Sequence, residues 1–366
     1  MNRHVLITGM YRSGTTLIHH LLDGHPSLKV FPLENSLFRD TLVHEKLPFP
    51  KKRTLVRLLE LIRSEDFSRA LEFILSHEKL SLPLTDRINL SGSTGNQLIK
   101  CSFNRGIFHE KMASELMHLS REPREILIVE LFEAYLRAYF AALGQSLEQE
   151  SFTLVNKCPD AGYLIDYYLD LLPESRIVHV TRDPRAVIAS FKAKLPRTAY
   201  HPFFRIFPQI KLLKNSLSCG HNYENNPRVL LIRYEDLVTK PDMVMSKVAN
   251  FIDIPFEECL LQPTILGQPW QSNSSNLDGD DDKHRIFVNL DKYRNKLNSA
   301  ELLLIESHCQ REMEQLGYIL DSPQKQINVL RSSTIYMLSA LLNVETYLFK
   351  MKQRSLTWSN RLIPPS

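Results

Sequence analysis

Residues Gly9-Met10-Tyr11-Arg12-Ser13-Gly14-Thr15-Thr16 gather two glycines, three aliphatic hydroxyls and one guanidinium into a single short run. Before it, His4-Val5-Leu6-Ile7-Thr8 reads as a strand; after it, 14–23 reads as a helix that stops at Asp23-Gly24-His25-Pro26. In such a turn successive backbone N–H groups converge on one point, and the helix N-terminus adds positive potential. The chemistry this serves is the holding of a phosphate-like anion. Glycine lets the backbone approach the anion, Thr15 and Thr16 can donate hydroxyls, and Arg12 offers a fixed fork of donors. The spacing is G-x-x-x-x-G, but Thr15 stands where the nucleotide-hydrolase loop requires lysine. That departure argues against an ATPase or kinase and moves the cation into the turn, at Arg12. An ordinary glycine-containing βα turn is the alternative.

A second strand-to-helix junction runs from Ile177 to Ser190 (IVHVTRDPRAVIAS). Asp183 is a good helix N-cap and Pro184 a good first helical residue, so the helix start is well specified. Arg182 falls at the carboxyl end of the strand, where open α/β sheets bind ligands. Ser190 follows about two helical turns later. An arginine and a hydroxyl so spaced suit a second phosphate group. Equally, Arg182 could pair with a carboxylate while Ser190 simply packs.

The elements that must position these residues alternate strand and helix, which predicts an α/β fold with a mostly parallel central sheet. Strands are expected at 4–8, 97–101, 152–156, 176–181 and 228–233, all short and apolar as for strands covered on both faces. Helices are expected at 14–23, 122–143, 161–171, 183–194, 241–252 and 299–315. Residues of about 40–96 read as a helical insertion ending in a polar SGSTGN loop, and about 195–225, with Pro196, Pro202 and Pro208, as an irregular lid. One domain is expected over 1–321, followed by a helical tail over 322–366. The tail's apolar stripe from Leu330 to Phe349 suits a packing or homodimer helix, with peripheral membrane contact as a second reading.

The two phosphate-directed sites together resemble the sulfotransferase superfamily, in particular its bacterial and tyrosylprotein branches. YRSGTT at 11–16 is similar to the motif that binds the 5′-phosphosulfate of 3′-phosphoadenosine 5′-phosphosulfate, and Arg182 with Ser190 to the pair that binds its 3′-phosphate. Asn156-Lys157-Cys158-Pro159 is similar to an N/E-K-x-P segment, and Arg233-Tyr234-Glu235-Asp236-Leu237 to a segment in which the tyrosine lines the nucleotide. Weaker likeness continues through Trp270–Ser275, Tyr293-Arg294 and Leu316-Gly317-Tyr318, whereas 40–150 is poorly matched. The resemblance implies a P-loop-like fold and in-line transfer of a sulfuryl group from that donor to an acceptor hydroxyl. It implies that Ser13, Gly14, Thr15 and Thr16 hold the phosphosulfate, that Arg12 neutralises developing charge, and that Lys157 stands near the leaving oxygen or sulfonate. Ser274 or Ser275, and Arg285, would close over the donor.

For the general base the resemblance implies Glu34, which follows Leu22-Asp23-Gly24-His25-Pro26 with an offset of about one residue from the tyrosylprotein pattern. A histidine serves in the cytosolic branch, so His109, His179 and His201 stand as rivals. The acceptor is left open among a small molecule, a glycan, a lipid-linked group and a peptide. Two other classes remain beside this one: a P-loop nucleotide kinase or NTPase, and a nucleotide-binding interaction protein without catalysis.

Composition narrows the field. In 366 residues, 43% are hydrophobic and 23% charged, as in globular proteins, and a net charge of +4 gives no sign of a nucleic-acid partner. No apolar run reaches the length of a membrane span. The first strand starts too early to leave room for a signal peptide, which predicts a cytoplasmic chain. Cys101, Cys158, Cys219, Cys259 and Cys309 form no C-x-x-C pair and read as reduced thiols. Asp278-Gly279-Asp280-Asp281-Asp282 resembles a calcium loop only superficially, since Lys283 stands where glycine is needed and Asn289 where the bidentate glutamate belongs. No metal is expected, and sulfuryl transfer requires none.

Overall fold

Arg3–Gly9 forms the middle strand of a five-stranded parallel sheet, buried from His4 onward. In the computed structural model, residues 3–34, 61, 64, 66–76, 87–92, 95–121, 128–145, 153–159, 162, 165–193, 202–270 and 290–324 are described. In chain order the elements are β1 (Arg3–Gly9), α1 (Thr15–Leu22), β2 (Leu28–Glu34), α2 (Phe67–Ser76), β3 (Arg87–Gly92), β4 (Gly95–Lys100), α3 (Arg105–Arg121), α4 (Ile128–Ala142), β5 (Thr153–Lys157), α5 (Ile165–Leu171), β6 (Arg176–Thr181), α6 (Pro184–Lys192), α7 (Pro202–Asn222), β7 (Val229–Arg233), α8 (Tyr234–Thr239), α9 (Pro241–Ile252), the short strands β8 (Thr264–Ile265) and β9 (Gln268–Pro269), and α10 (Ser299–Gln315).

The chain falls into two compact units. The first, Met1–Arg182 with Asn222–Asn289, holds the whole sheet, in the order β2-β5-β1-β6-β7. Every neighbouring pair in it is parallel. Its strands are near-continuous apolar runs because both faces are covered. Ile7, Val155, Val178, Val180 and Ile232 pack with Ile18, Leu21 and Leu22 of α1 and with Val244, Met245 and Val248 of α9. Burying each such side chain contributes about 1.5–3 kcal/mol. An aromatic cluster covers β2: Phe31 lies 5.1 Å from Tyr139 and 6.3 Å from Tyr135 of α4 between ring centroids. His4 Nε2 meets Glu133 Oε1 at 2.8 Å, tying β1 to α4.

The second unit, Asp183–His221 with Leu290–Ser366, contains α6, α7 and α10 among its described residues. Its centre is a buried charge cluster. Arg185 Nη2 donates to Asp183 Oδ2 at 2.7 Å, and Arg185 Nη1 to Glu306 Oε1 at 2.8 Å and to the Ile319 carbonyl at 2.9 Å. Glu306 also accepts from the backbone of Asp321 and Ser322, each at 2.8 Å. Asn298 and Glu301 complete a capping box that starts α10.

Three expectations change. The strand expected at 97–101 is present as β4, but it pairs antiparallel with β3, outside the main sheet. Asn89, Ser91, Asn96 and Gln97 disguise this hairpin as loop, and the expected helical insertion therefore ends in strands. Between Pro202 and Asn222 the expected irregular lid is one helix of 21 residues. Pro202 starts it as a first-turn residue, and the helix runs on through Pro208, which cannot donate its backbone hydrogen bond. β2, absent from the expected strands, completes the sheet edge. The tail beyond residue 324 lies outside the described residues. Among the described residues, no helix is long and apolar enough to cross a membrane.

Candidate active site at the carboxyl edge of the sheet

Parallel strands end on one side, so the residue at each carboxyl end reaches the same edge of the first unit. β2 ends in Glu34, β5 in Lys157, β1 in the Gly9–Thr16 turn, β6 in Thr181 just before Arg182, and β7 in Arg233 just before Tyr234. This is the edge where open α/β sheets bind ligands.

The turn after β1 is built for close approach. Gly9 and Gly14 adopt φ of 145° and 97°, and Arg12 a left-handed φ of 72°. A Cβ on Gly9 would collide with the Val180 carbonyl oxygen of β6, and one on Gly14 with the Tyr234 ring. Gly14 begins α1 without any side-chain cap, so the first N–H groups of α1 keep their capacity for an outside acceptor. Ser13 Oγ is buried and has no hydrogen-bond partner among the described residues. The same is true of Arg182 Nε. At a strand-end turn, such buried polar atoms keep their hydrogen-bonding capacity for a bound ligand or water.

Arg182 Nη1 donates to the Arg12 carbonyl at 3.1 Å, and its guanidinium carbon lies 4.0 Å from the Tyr234 ring centroid. Among the described residues its partners are thus a carbonyl and an aromatic face, with no carboxylate. Burial, and then the nearby Arg182 charge, push the Arg12 guanidinium below its ordinary range, against an opposing pull from Tyr234. Like charges that act on each other in this way favour a polyanion beside them.

Lys157 is 5% exposed. Its Nζ donates to Thr16 Oγ1 at 3.0 Å and stands 3.4 Å from Glu34 Oε1. Burial lowers the ammonium's pKa, and Glu34 only partly offsets this. The sheet thereby joins three of the expected residues, from β2, α1 and β5, through one hydrogen bond and one ion pair.

His19 and His20 of α1 were not singled out by their spacing, yet both imidazoles feel the Lys157 charge. Burial first, then Lys157, pushes His20 down to about 3 and His19 well below the usual range. The His20 ring packs 4.6 Å from that of Trp270, which follows β9. The available signal was the buried face of α1: adjacent histidines beside Ile18, Leu21 and Leu22 cannot both reach water.

Of the other expected residues, Ser190 is on α6 in the second unit, half-buried. Asp183 caps that helix by accepting from the Arg185 N–H at 2.8 Å, with Pro184 next, as the sequence predicted. His179 is buried within β6, and His109 is half-buried on α3. Ser274, Ser275, Arg285, His201 and the acidic 278–282 run lie outside the described residues. Among the described residues, no three His, Cys, Asp or Glu side chains are grouped to hold a metal.

A doubly covered parallel sheet with an anion-directed turn at its carboxyl edge defines an α/β protein of the P-loop-like class. Residues 4–258 match the sulfotransferase family, and the chain belongs to it. Members of this enzyme family transfer sulfuryl groups, and the match leaves a nucleotide kinase unfavoured. A mouse (Mus musculus) protein, carbohydrate sulfotransferase 1, is 22% identical over 355 residues, covering 88% of this chain and 81% of its own length. The omega-hydroxy-beta-dihydromenaquinone-9 sulfotransferase Stf3 of Mycobacterium bovis is 23% identical over 279 residues, 70% of this chain and 64% of its own. A Caenorhabditis elegans protein, provisionally named a protein-tyrosine sulfotransferase, is 24% identical over 135 residues, 36% of this chain and 52% of its own. The chain thus spans about half to two thirds of the length of these last two relatives.

Proposed function

We propose that this chain transfers a sulfuryl group from 3′-phosphoadenosine 5′-phosphosulfate to an acceptor hydroxyl. The observation that carries this reading is the alignment of Glu34, Lys157, the Gly9–Thr16 turn and Arg182 along one carboxyl edge of the sheet. Ser13 Oγ and Arg182 Nε, without a hydrogen-bond partner among the described residues, fit a donor with anionic groups at two ends.

In this reading the turn's N–H groups, Ser13, Thr15 and Thr16 hold the phosphosulfate. Arg12 and Lys157 face the charge that develops on the bridging and sulfonate oxygens. Arg182 takes the 3′-phosphate. Glu34 accepts the acceptor's proton as the acceptor oxygen forms its bond to sulfur. The bond between sulfur and the 5′-phosphate oxygen breaks, and its electron pair leaves with 3′-phosphoadenosine 5′-phosphate. Such in-line displacements depend on positioning and electrostatic stabilisation rather than on covalent chemistry by the protein.

The relatives' names cover a hydroxylated lipid, a carbohydrate and a protein tyrosine, and the group common to these is a hydroxyl. We therefore assign a hydroxyl acceptor and leave its carrier to experiment. Calorimetry with 3′-phosphoadenosine 5′-phosphate and with ATP tests the donor; only the first should bind tightly. Transfer of labelled sulfate from donor to a panel of lipid, sugar, peptide and phenolic hydroxyls tests the reaction. Tighter binding of ATP, or no transfer to any acceptor, would return the chain to the kinase or the non-catalytic reading.

A further inference from the structure

Tyr234 touches both phosphate-directed elements. Its ring lies against the Gly14 backbone so closely that no Cβ fits there. Its face lies under the Arg182 guanidinium, 4.0 Å from ring centroid to guanidinium carbon. The ring is itself set by the β7–α8 junction, since Tyr234 is the first residue of α8, directly after the end of β7. One aromatic ring therefore connects the phosphate turn, the arginine and a rigid strand end.

Stacking uses the flat face of a guanidinium and leaves its in-plane donors available. Arg182 shows this division. Its guanidinium carbon stands over the Tyr234 ring, Nη1 is on the Arg12 carbonyl, and Nε is buried without a partner among the described residues. An arginine that must stay close to Arg12 also gains from a π face that attracts cations.

We propose that Tyr234 is a positioning residue that holds Arg182 in the orientation needed to recognise the 3′-phosphate, so that selectivity for a 3′-phosphorylated nucleotide acts through this ring. This inference rests on the donor reading above. It differs from the nucleotide-lining role that the resemblance implies for the tyrosine, because the ring works on Arg182 and not on the nucleotide.

The test is calorimetric titration of the full chain with 3′-phosphoadenosine 5′-phosphate and with adenosine 5′-phosphate, which lacks the 3′-phosphate. The readout is the ratio of the two affinities. Tyr234→Phe keeps the π face and should keep the wild-type ratio. Tyr234→Leu should reduce the ratio about tenfold, in line with a desolvated cation–π contact. Tyr234→Met, of similar bulk and also without a π face, gives the same readout if the leucine variant melts early. Equal loss for both nucleotides would mean that the ring contacts the nucleotide itself, and would overturn the inference. So would an unchanged ratio in the leucine and methionine variants. A wild-type chain that does not distinguish the two nucleotides would instead overturn the 3′-phosphate assignment of Arg182, and this inference with it.

Discussion

Glu34 and Lys157 are register partners in the sheet although the ladder between β2 and β5 is broken just before them. Val30 faces Val155 and Glu34 faces Lys157, so β2 spends four residues where β5 spends two. Pro32 sits inside the irregular stretch and has no N–H to give the ladder. The irregularity carries the half-exposed Glu34 side chain to the strand end, where its Oε1 meets the buried ammonium at 3.4 Å.

Removing the carboxylate should separate chemistry from donor binding. Glu34→Gln is expected to lower turnover by about 10²–10⁴-fold, the usual range for a general base. Affinity for 3′-phosphoadenosine 5′-phosphate should hold or rise, because Lys157 loses a competitor for its charge. Steady-state kinetics beside calorimetry check this; unchanged turnover would remove Glu34 from the mechanism.

Lys157→Met should separate activity from stability. The buried ammonium bears a desolvation cost, and a methionine fills similar space without it. Thermal melting should therefore be unchanged or higher, while turnover falls by about 10²–10³-fold as for other lost charge-stabilising groups. A variant that keeps its turnover would show that Lys157 does not face the reacting oxygens.

Gly14→Ala probes the packing of the phosphate turn. The new Cβ would meet the Tyr234 ring, and φ of 97° is strained for any residue with a side chain. Destabilisation of about 1–3 kcal/mol is expected, together with weaker nucleotide binding. Urea unfolding and calorimetry would detect both, and a neutral substitution would refute the close packing.

Arg185→Met removes the centre of the second unit's charge cluster. Glu306 is fully buried and Asp183 nearly so, and both lose their cation. Breaking such a cluster from one side costs about 3–5 kcal/mol. Scanning calorimetry should find an earlier transition. Asp183→Asn should lower it less, because the amide oxygen can still cap α6.

Acid should weaken the fold partly through His20. Its imidazole titrates near 6.5 when unfolded and about 3 when folded, chiefly because of burial. Above about pH 6.5 neither state holds the proton, and the fold has its full stability with respect to this group. As pH falls toward 3, the unfolded chain takes up a proton that the folded chain refuses, and stability declines. Asp23 acts in the opposite sense, because burial raises its carboxyl above the usual range. Comparing wild type with His20→Gln isolates the histidine. The urea midpoint should fall more steeply from pH 7 to pH 5 in wild type than in the variant, and equal slopes would contradict this.

Local chemistry determined much of this protein from sequence. The strand–glycine turn–helix at 3–22 and the Asp183-Pro184 helix start are decided within a few residues, by backbone conformation and capping. The strands near 4–8, 152–156, 176–181 and 228–233 declare themselves because both of their faces must be apolar. Tertiary structure decided the rest. β2 is interrupted by a proline and ends in a charge, so only its pairing with β5 makes it a strand and only that pairing brings Glu34 to Lys157. The β3–β4 hairpin has a polar sequence that pairing, not periodicity, turns into strands. The stacking of Arg182 on Tyr234 joins the ends of two neighbouring strands far apart in the chain, and no local pattern encodes a contact that exists only once the sheet has ordered its strands.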